Sequence, residues 1–398
     1  MGATSPAPVA RAARTIRRLP ATLLGGLLAV RFIDEGFGFL PSGAIEQIRA
    51  DLDIGYTAMS LVLAAPYAGS LPALWLTARS DRTGRRSIVL VGTALMALSL
   101  IGFAVATLTA VAVAAAILWG FGGSLMVHGA ELEFALVGDD APAGELKRRL
   151  RVCNLWGTVG DVLGPLLLGA ILAVGWSWRV SFWTGAAVTL AYLLWLVRYE
   201  FSPARAEPED DDAPAWRDPT AWRLGAFAFL LMPFDETWLA FLIAWLQVDG
   251  GWTGSAAAVA GVVAVLGAAL GFGPVAARVA NRSDRALLVA VASVLAVAGA
   301  VVAGVPPVLA VAAGFVVNAA TAVGWVTLQH AALTLRPGAE GRVMSLIVAI
   351  EHTTVVLPVA LGAAADRFGL AWVFGSYAGL GIVAAAVATT IGGGRRPA

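Results

Sequence analysis

YEFSPARAEPEDDDAPAWRDPTAWR, residues 199–223, interrupts an otherwise apolar chain. It mixes prolines with acids and has no apolar period, so it reads as a linker. On each side lie six stretches of the length a bilayer demands, about 20 apolar residues per helix. Before the linker they fall near 20–41, 56–79, 87–107, 109–135, 150–173 and 179–198. After it they fall near 220–247, 254–278, 285–304, 306–334, 342–365 and 370–391. The expected fold is all-α, with 12 transmembrane helices in two six-helix bundles. The expected divisions are a cytoplasmic tail 1–19, an N-terminal bundle 20–198, a cytoplasmic linker 199–219, a C-terminal bundle 220–392 and a tail 393–398.

Composition points the same way. Of 398 residues, 59% are hydrophobic and 13% charged, against about 25% charged in soluble domains. Mean hydropathy is +0.80. A net charge of +1 leaves no footprint for nucleic acid. One cysteine, Cys153, excludes an intrachain disulfide and any CxxC motif. There is no G-x-x-x-x-G-K-[ST] loop, so no nucleotide is expected and gradients must supply the energy. HExxH and G-x-S-x-G are absent too, and Asp161 sits in GxxGD rather than GxGD, so no enzyme is expected. The basic-then-apolar start imitates a signal peptide but lacks an A-x-A site before Asp34, and it reads as a tail plus an uncleaved first helix.

Lysine and arginine bias sets orientation. Basic residues crowd the tail (Arg11, Arg14, Arg17, Arg18), the 2–3 connection (Arg79, Arg82, Arg85, Arg86), the 4–5 connection (Lys147, Arg148, Arg149, Arg151) and the 8–9 connection (Arg278, Arg282, Arg285). Alternate connections such as ATLTA and AGVPPV carry none. Both termini are therefore expected in the cytoplasm, with the chain in the cytoplasmic (inner) membrane.

The two sets of six resemble each other. FIDEGF in span 1 aligns with PFDETW in span 7, pairing Asp34 with Asp235 and Glu35 with Glu236. DRTGRR (81–86) aligns with NRSDRA (281–286), His128 with His330, and GPLLLGA (164–170) with LPVALGA (357–363). A six-helix repeat about an axis along the membrane normal is a transporter plan, with the binding site between the halves at mid-membrane.

SDRTGRRSIVL, between spans 2 and 3, resembles the loop motif G-x-L-x-D-R-x-G-R-R/K of the major facilitator superfamily. Asp81, Arg82, Gly84, Arg85 and Arg86 fit it, while Thr77 stands for the usual Gly and Arg79 for Leu. Such a cluster can latch the halves in one state through charge-assisted bonds; the alternative is a topology signal alone. GTVGDVLGPLLLGA in span 5 is similar to the family's antiporter motif, which accompanies drug/proton antiporters. Gly157, Gly160, Gly164, Pro165 and Gly169 match in part, and small residues there let helices pack closely. The double glycine is shifted, Asp161 intrudes, and the usual arginine of span 4 is absent.

Ionisable groups at membrane depth are costly and mark pathways or proton relays. Span 1 offers Arg31, Asp34 and Glu35. Arg31 reaches either acid at i+3 or i+4, and one acid is expected to pair with it while the other faces the path. Span 7 offers Asp235 and Glu236 with no cation nearby on the helix and Pro233 favouring a local break; they suit a proton carrier. Span 4 offers His128 and Glu131, with Glu133 turned away and at the boundary. Span 5 adds Asn154, Trp156 and Asp161, span 7 adds Trp238, and span 11 adds Glu351 and His352. His330 reads as a packing group.

Acids outnumber bases, so the cavity should favour cations and protons. The expectation is a proton-coupled secondary transporter working by alternating access, exporting a small cationic or neutral amphipathic molecule. An uptake symporter or a divalent-cation transporter on the same fold is the alternative. No cofactor is expected, only a proton gradient; the expected partners are a small-molecule substrate, protons and the lipid bilayer, with the chain a monomer.

Overall fold

The computed structural model describes residues 21–78, 85–134, 145–199, 201, 215–279, 281–302, 304–336 and 340–392. Among them every regular element is helical. In chain order the first half holds α1 (Ala21–Gly43), the short α2 (Ile45–Leu52), α3 (Tyr56–Ala78), α4 (Arg85–Val105), α5 (Thr109–Phe134), α6 (Glu145–Ala173) and α7 (Arg179–Leu196). Span 7 is α8 (Pro219–Leu231), a 3-10 turn (Met232–Phe234) and α9 (Glu236–Val248). Span 8 is α10 (Gly254–Leu270), a π turn (Gly271–Val275) and α11 (Ala276–Val279). Spans 9 and 10 are α12 (Asp284–Val302) and α13 (Pro307–Leu335). Span 11 is α14 (Glu340–His352), a 3-10 turn (Thr353–Val355) and α15 (Val356–Phe368), and span 12 is α16 (Leu370–Thr390). Eleven of the twelve meet the length and composition of a bilayer-crossing helix. The remaining one, α1, has 23 residues and is set apart by Arg31, Asp34 and Glu35.

Two interruptions face each other. Pro233 has no N–H, so the carbonyl of Phe229, one turn back, loses its helical donor. The Thr354 hydroxyl, from the 3-10 turn of span 11, donates to that carbonyl at 3.0 Å. Tyr377 of α16 donates to the carbonyl of Pro233 at 2.8 Å. Neighbouring spans thus satisfy the groups that the break frees, as a water-poor interior requires.

Close backbone approach joins other spans. Any Cβ on Gly164 would strike the carbonyl of Gly36, and one on Gly160 would lie 2.6 Å from the carbonyl of Phe32; α1 and α6 therefore touch backbone to backbone. Gly69 of α3 sits on the carbonyl of Ile117 in α5, and Gly267 of α10 on that of Phe315 in α13. Both partners of the second pair lie 198 residues beyond those of the first, so the sequence repeat is also a packing repeat.

The face carrying the odd-numbered connections is drawn together. Asp366, near the end of α15, accepts from the backbone N–H of Tyr56 (2.7 Å) and of Thr57 (2.8 Å) and from the Thr57 hydroxyl (2.6 Å). Its carboxylate caps the N-terminus of α3 from the other half of the molecule. Gln47 of α2 donates to Gln247 of α9 at 2.9 Å. Asp51 takes the indole N–H of Trp178 at 2.8 Å and pairs with Arg179, whose guanidinium also holds the carbonyl of Ala106 at 2.6 Å. Burial alone would push the Asp51 carboxyl up, but these bonds hold it below its ordinary value.

Two outcomes test this packing. Gly164→Val should cost more than about 1–3 kcal/mol, because backbone cannot yield as a side chain can. Gly375→Ala, with open space around its Cβ position, should be neutral or stabilising by about 0.5–1 kcal/mol; thermal melts in detergent compare them. With Ser60→Cys as a reporter in a Cys153→Ser background, Asp366→Ala should speed thiol labelling several-fold. Equal labelling rates would count against Asp366 as a tie between the halves.

Candidate functional site

The site grows from the break in span 7. Asp235 has φ −96° and ψ −119° and stands at the N-terminus of α9 without a side-chain capping bond. The kink leaves Asp235 exposed and Glu236 half-buried. Glu236 Oε1 lies 3.1 Å from the place a Cβ on Gly38 would occupy, so the bare glycine of α1 makes room for the carboxylate. With Gly38, Ser42, Pro66, Phe103 and Trp119, Glu236 lines a cavity of about 40 Å³.

Across from it, Arg31 binds Glu35 at 2.7 Å and approaches Asp34 at 3.7 Å. The sequence expectation was one acid paired with Arg31 and the other facing the path; the short pairing is with Glu35, and Asp34 lies within longer reach of the same guanidinium. Both fit because glycines face them, Gly123 of α5 beside Asp34 and Gly157 and Gly160 of α6 beside Glu35. The acids of span 7 are not without a cation either. The charge of Arg31 acts on Asp235 from the other half, as does that of Glu35. Asp34 and Glu35 both act on Glu236. Asp161 of α6 feels Glu35, Asp235, Glu236 and Arg31.

Span 11 closes the group. Glu351 is 3% exposed, its Oε2 has no hydrogen-bond partner, and Asp235 acts on it. His352 bonds the carbonyl of Val348 through Nδ1 at 2.7 Å. That bond places a proton on Nδ1 and leaves Nε2 as the acceptor. The charge of His128, from α5, acts on His352. Electrostatic coupling thus links ionisable groups of spans 1, 4, 5, 7 and 11.

Other expected residues fall elsewhere. Trp238 is fully buried and packs on Phe234, Phe374 and Tyr377; it belongs to an aromatic core, because α9 turns that face away from α1. Trp156 is 43% exposed beside Leu155, Val159, Leu163 and Leu166, all exposed at helical spacing, which is a lipid-facing strip. Asn154 is half-buried. His330 is not a packing group: it is exposed and pairs with Asp284 at 3.1 Å. Arg86 donates to the carbonyl of Val197 at 2.7 Å, at the end of span 6 in its own half, and Arg85 begins α4. Asp81, Arg82 and Gly84 lie outside the described residues, as do the side chains of Glu131, Glu133 and Cys153. Gly160 and Gly164 meet α1, Pro165 lies within α6, and Gly169 approaches Val259 and Ser255 of α10. Among the described residues no three His, Cys, Asp or Glu side chains converge as metal ligands would.

Sequence reasoning passed over Tyr67 of α3. It is 8% exposed, its ring meets His352 edge-on with centroids 6.2 Å apart, and Glu236, Asp235 and Glu351 act on it. An uncharged phenol escapes a search for charges in apolar stretches. The Gln47–Gln247 pair was signalled more clearly, since its offset of 200 matches the repeat.

Arg31→Gln tests the electrostatics. Removing one partner of a buried pair costs up to about 3–5 kcal/mol, less where water reaches it, as here. Neutralising the partner as well removes the unpaired charge, so Glu35→Gln added to Arg31→Gln should recover part of the loss. Melting the parent, both single variants and the double variant checks this; fully additive losses would speak against the pairing.

Comparison with known proteins bears on the family and the fold. No curated protein sequence matches the chain. A point mutant of the nucleoside transporter NupG superposes with a TM-score of 0.78 at 11% identity, covering 93% of this chain and 99% of its own. A D-xylose–proton symporter gives 0.76 at 15% identity, covering 92% and 97%. A POT family transporter in complex with a thioalcohol-conjugated peptide gives 0.74 at 15%, covering 92% and 95%. The family profile described as Major Facilitator Superfamily matches residues 27–353. With that match spanning most of its length, and its helices arranged as in those transporters, the chain belongs to the major facilitator superfamily.

Proposed function

We propose that this protein is a proton-coupled secondary transporter that exports a small cationic or neutral amphipathic molecule by alternating access. The observation that carries the reading is the electrostatic coupling among carboxylates of spans 1, 5, 7 and 11, with Arg31 acting on Asp161 and Asp235. Like charges about 4 Å apart repel by roughly 4 kcal/mol at an effective dielectric of 20. A proton or a cationic solute relieves that repulsion, so the two compete for one set of groups. Such competition is the basis of exchange. The glycine-rich span 5 motif supports export, though its shifted glycines weaken the match.

Uptake by symport is the second reading; one structural neighbour is named a D-xylose–proton symporter, a likeness of fold alone. The lysine and arginine bias supports a cytoplasmic membrane with both termini inside, bundles at 20–198 and 220–392, and the linker 199–219 between them. We also propose a monomer and no cofactor. A latch at Asp81–Arg86 remains part of this reading.

A thermal-stability screen of the purified protein against organic cations, amino acids, drugs and metals should identify a stabilising compound, since binding to the folded state raises stability. That compound is then followed into proteoliposomes. Accumulation in an acid lumen indicates exchange with protons; accumulation in an alkaline lumen indicates symport. Asp235→Asn and Glu236→Gln should each lower gradient-driven transport at least tenfold with melting temperature retained. Full transport in both variants would sink the carboxylate assignment.

A further inference from the structure

Gly38 of α1 faces a space bounded from both halves. The point a Cβ on it would occupy lies 3.1 Å from Glu236 Oε1 on span 7 and 3.4 Å from Trp119 Cζ2 on α5. The other edge of the same indole, Cδ1 and Nε1, lies 3.6 Å from the Cβ position of Gly123, where Asp34 Oδ1 stands at 3.0 Å. One indole thus neighbours two carboxylates, one from each half. Phe103 meets that ring edge-on with centroids 6.4 Å apart and itself stacks on Phe182 at 5.0 Å, so the indole is held in place.

Ser42, one turn of α1 beyond Gly38, lines the same cavity of about 40 Å³ as Glu236 and Trp119. It is 1% exposed, and its hydroxyl has no hydrogen-bond partner. A buried hydroxyl left without a partner is destabilising, and one that lines a cavity beside a carboxylate is placed to meet a ligand. Asp235, Glu35 and Asp34, which act on Glu236, are all negative. A positively charged donor complements both groups at once.

We propose that this cavity binds the primary ammonium head of the cargo: Glu236 supplies the counter-charge, the Ser42 hydroxyl accepts one N–H, and the Trp119 ring packs against the head. The inference rests on the cationic reading of the cargo above and narrows it. Size selects first. A water-sized group needs about 10–15 Å³ of such space, so a cavity of about 40 Å³ admits an ammonium and its first carbons but not four ethyl arms. Donors select next. A primary ammonium carries three N–H groups, which carboxylate oxygens and a hydroxyl can accept, whereas a quaternary one carries none. The ring adds cation–π attraction, and Val62 and Leu63 line the cavity where carbon would lie.

Gly38→Ala tests the site with a single methyl. Its Cβ enters the space between carboxylate and ring, and its nearest neighbour is the movable end of Glu236, so the helix should still fold. Ser42→Ala removes only a hydroxyl without a protein partner, and it decides the matter if Gly38→Ala fails to fold. Melting temperatures of the purified full chain are titrated at neutral pH with n-propylammonium chloride, tetraethylammonium chloride and, to match ionic strength, potassium chloride. The expected result is saturable stabilisation of the parent by n-propylammonium alone. Its apparent Kd should weaken about tenfold in Gly38→Ala and about threefold in Ser42→Ala, as loss of a charge-assisted contact predicts. Unchanged affinity in both variants overturns the proposal, and so does tetraethylammonium binding as tightly as n-propylammonium. If tetraethylammonium alone stabilises the parent, the inference falls and a cationic cargo stands. If neither cation stabilises it beyond potassium chloride, the cationic reading falls with the inference.

Discussion

An unpaired peptide group costs several kcal/mol in hydrocarbon. A membrane helix can therefore break only where something other than lipid meets it, and the rest of this molecule follows from where its helices break. Span 7 breaks at Met232–Phe234 and span 11 at Thr353–Val355. Each break supports the other, because the Thr354 hydroxyl supplies the donor that Pro233 cannot give to Phe229. The acids sit at these breaks: Asp235 and Glu236 follow the first, and Glu351 precedes the second. A broken backbone and a buried charge are both expensive in lipid. Placing them together puts both costs where the cavity between the halves can meet them with polar groups.

The glycines set how near the charges come. Gly157, Gly160 and Gly164 of α6 let α1 lie close against it, and Arg31 and Glu35 take the space that side chains there would fill. The span 5 motif is thus the footing of the charge cluster as well as a packing seam. Gly69 with Ile117 and Gly267 with Phe315 show the same device repeated 198 residues on, which keeps the two halves alike in shape while their charges differ.

Much of the fold was legible because hydropathy is a one-dimensional signal with a length scale. The linker, the twelve stretches and the repeat offsets all sit on the sequence itself. Even α1, whose three ionisable residues place it outside a strict composition rule, was readable from its partner in span 7. The membership of the site was half legible: an acid inside an apolar run is visible, and Asp34, Glu35, Asp161, Asp235, Glu236 and Glu351 are electrostatically coupled. What each acid meets was not legible. Arg31 touches two acids because rotamers and facing glycines permit it. Trp238 looked like a cavity aromatic, yet the kink at Asp235 rotates α9 so that it joins Phe374 and Tyr377. Helical phase is lost at a break, and sequence periodicity cannot carry an orientation across one.

The halves are held by interactions of different kinds at different depths, and that difference is what lets one part move before another. At the odd-connection face the tie is a carboxylate on a helix N-terminus, Asp366 on Tyr56 and Thr57, with a neutral amide pair beside it. Asp366 accepts three short bonds there, so its charge is well satisfied and the tie depends little on what happens at the centre. At mid-membrane the groups are coupled carboxylates with Arg31 among them, where each added proton lessens the repulsion. A face closed by satisfied bonds above a centre that is electrostatically unsettled can wait in one state until charge at the centre changes. In the proposed transport cycle, opening costs the bonds of Asp366, and the energy to break them comes from relief of repulsion among the central acids or from binding a solute there. On that proposal the cluster is the seat of control and the face is the threshold it must overcome.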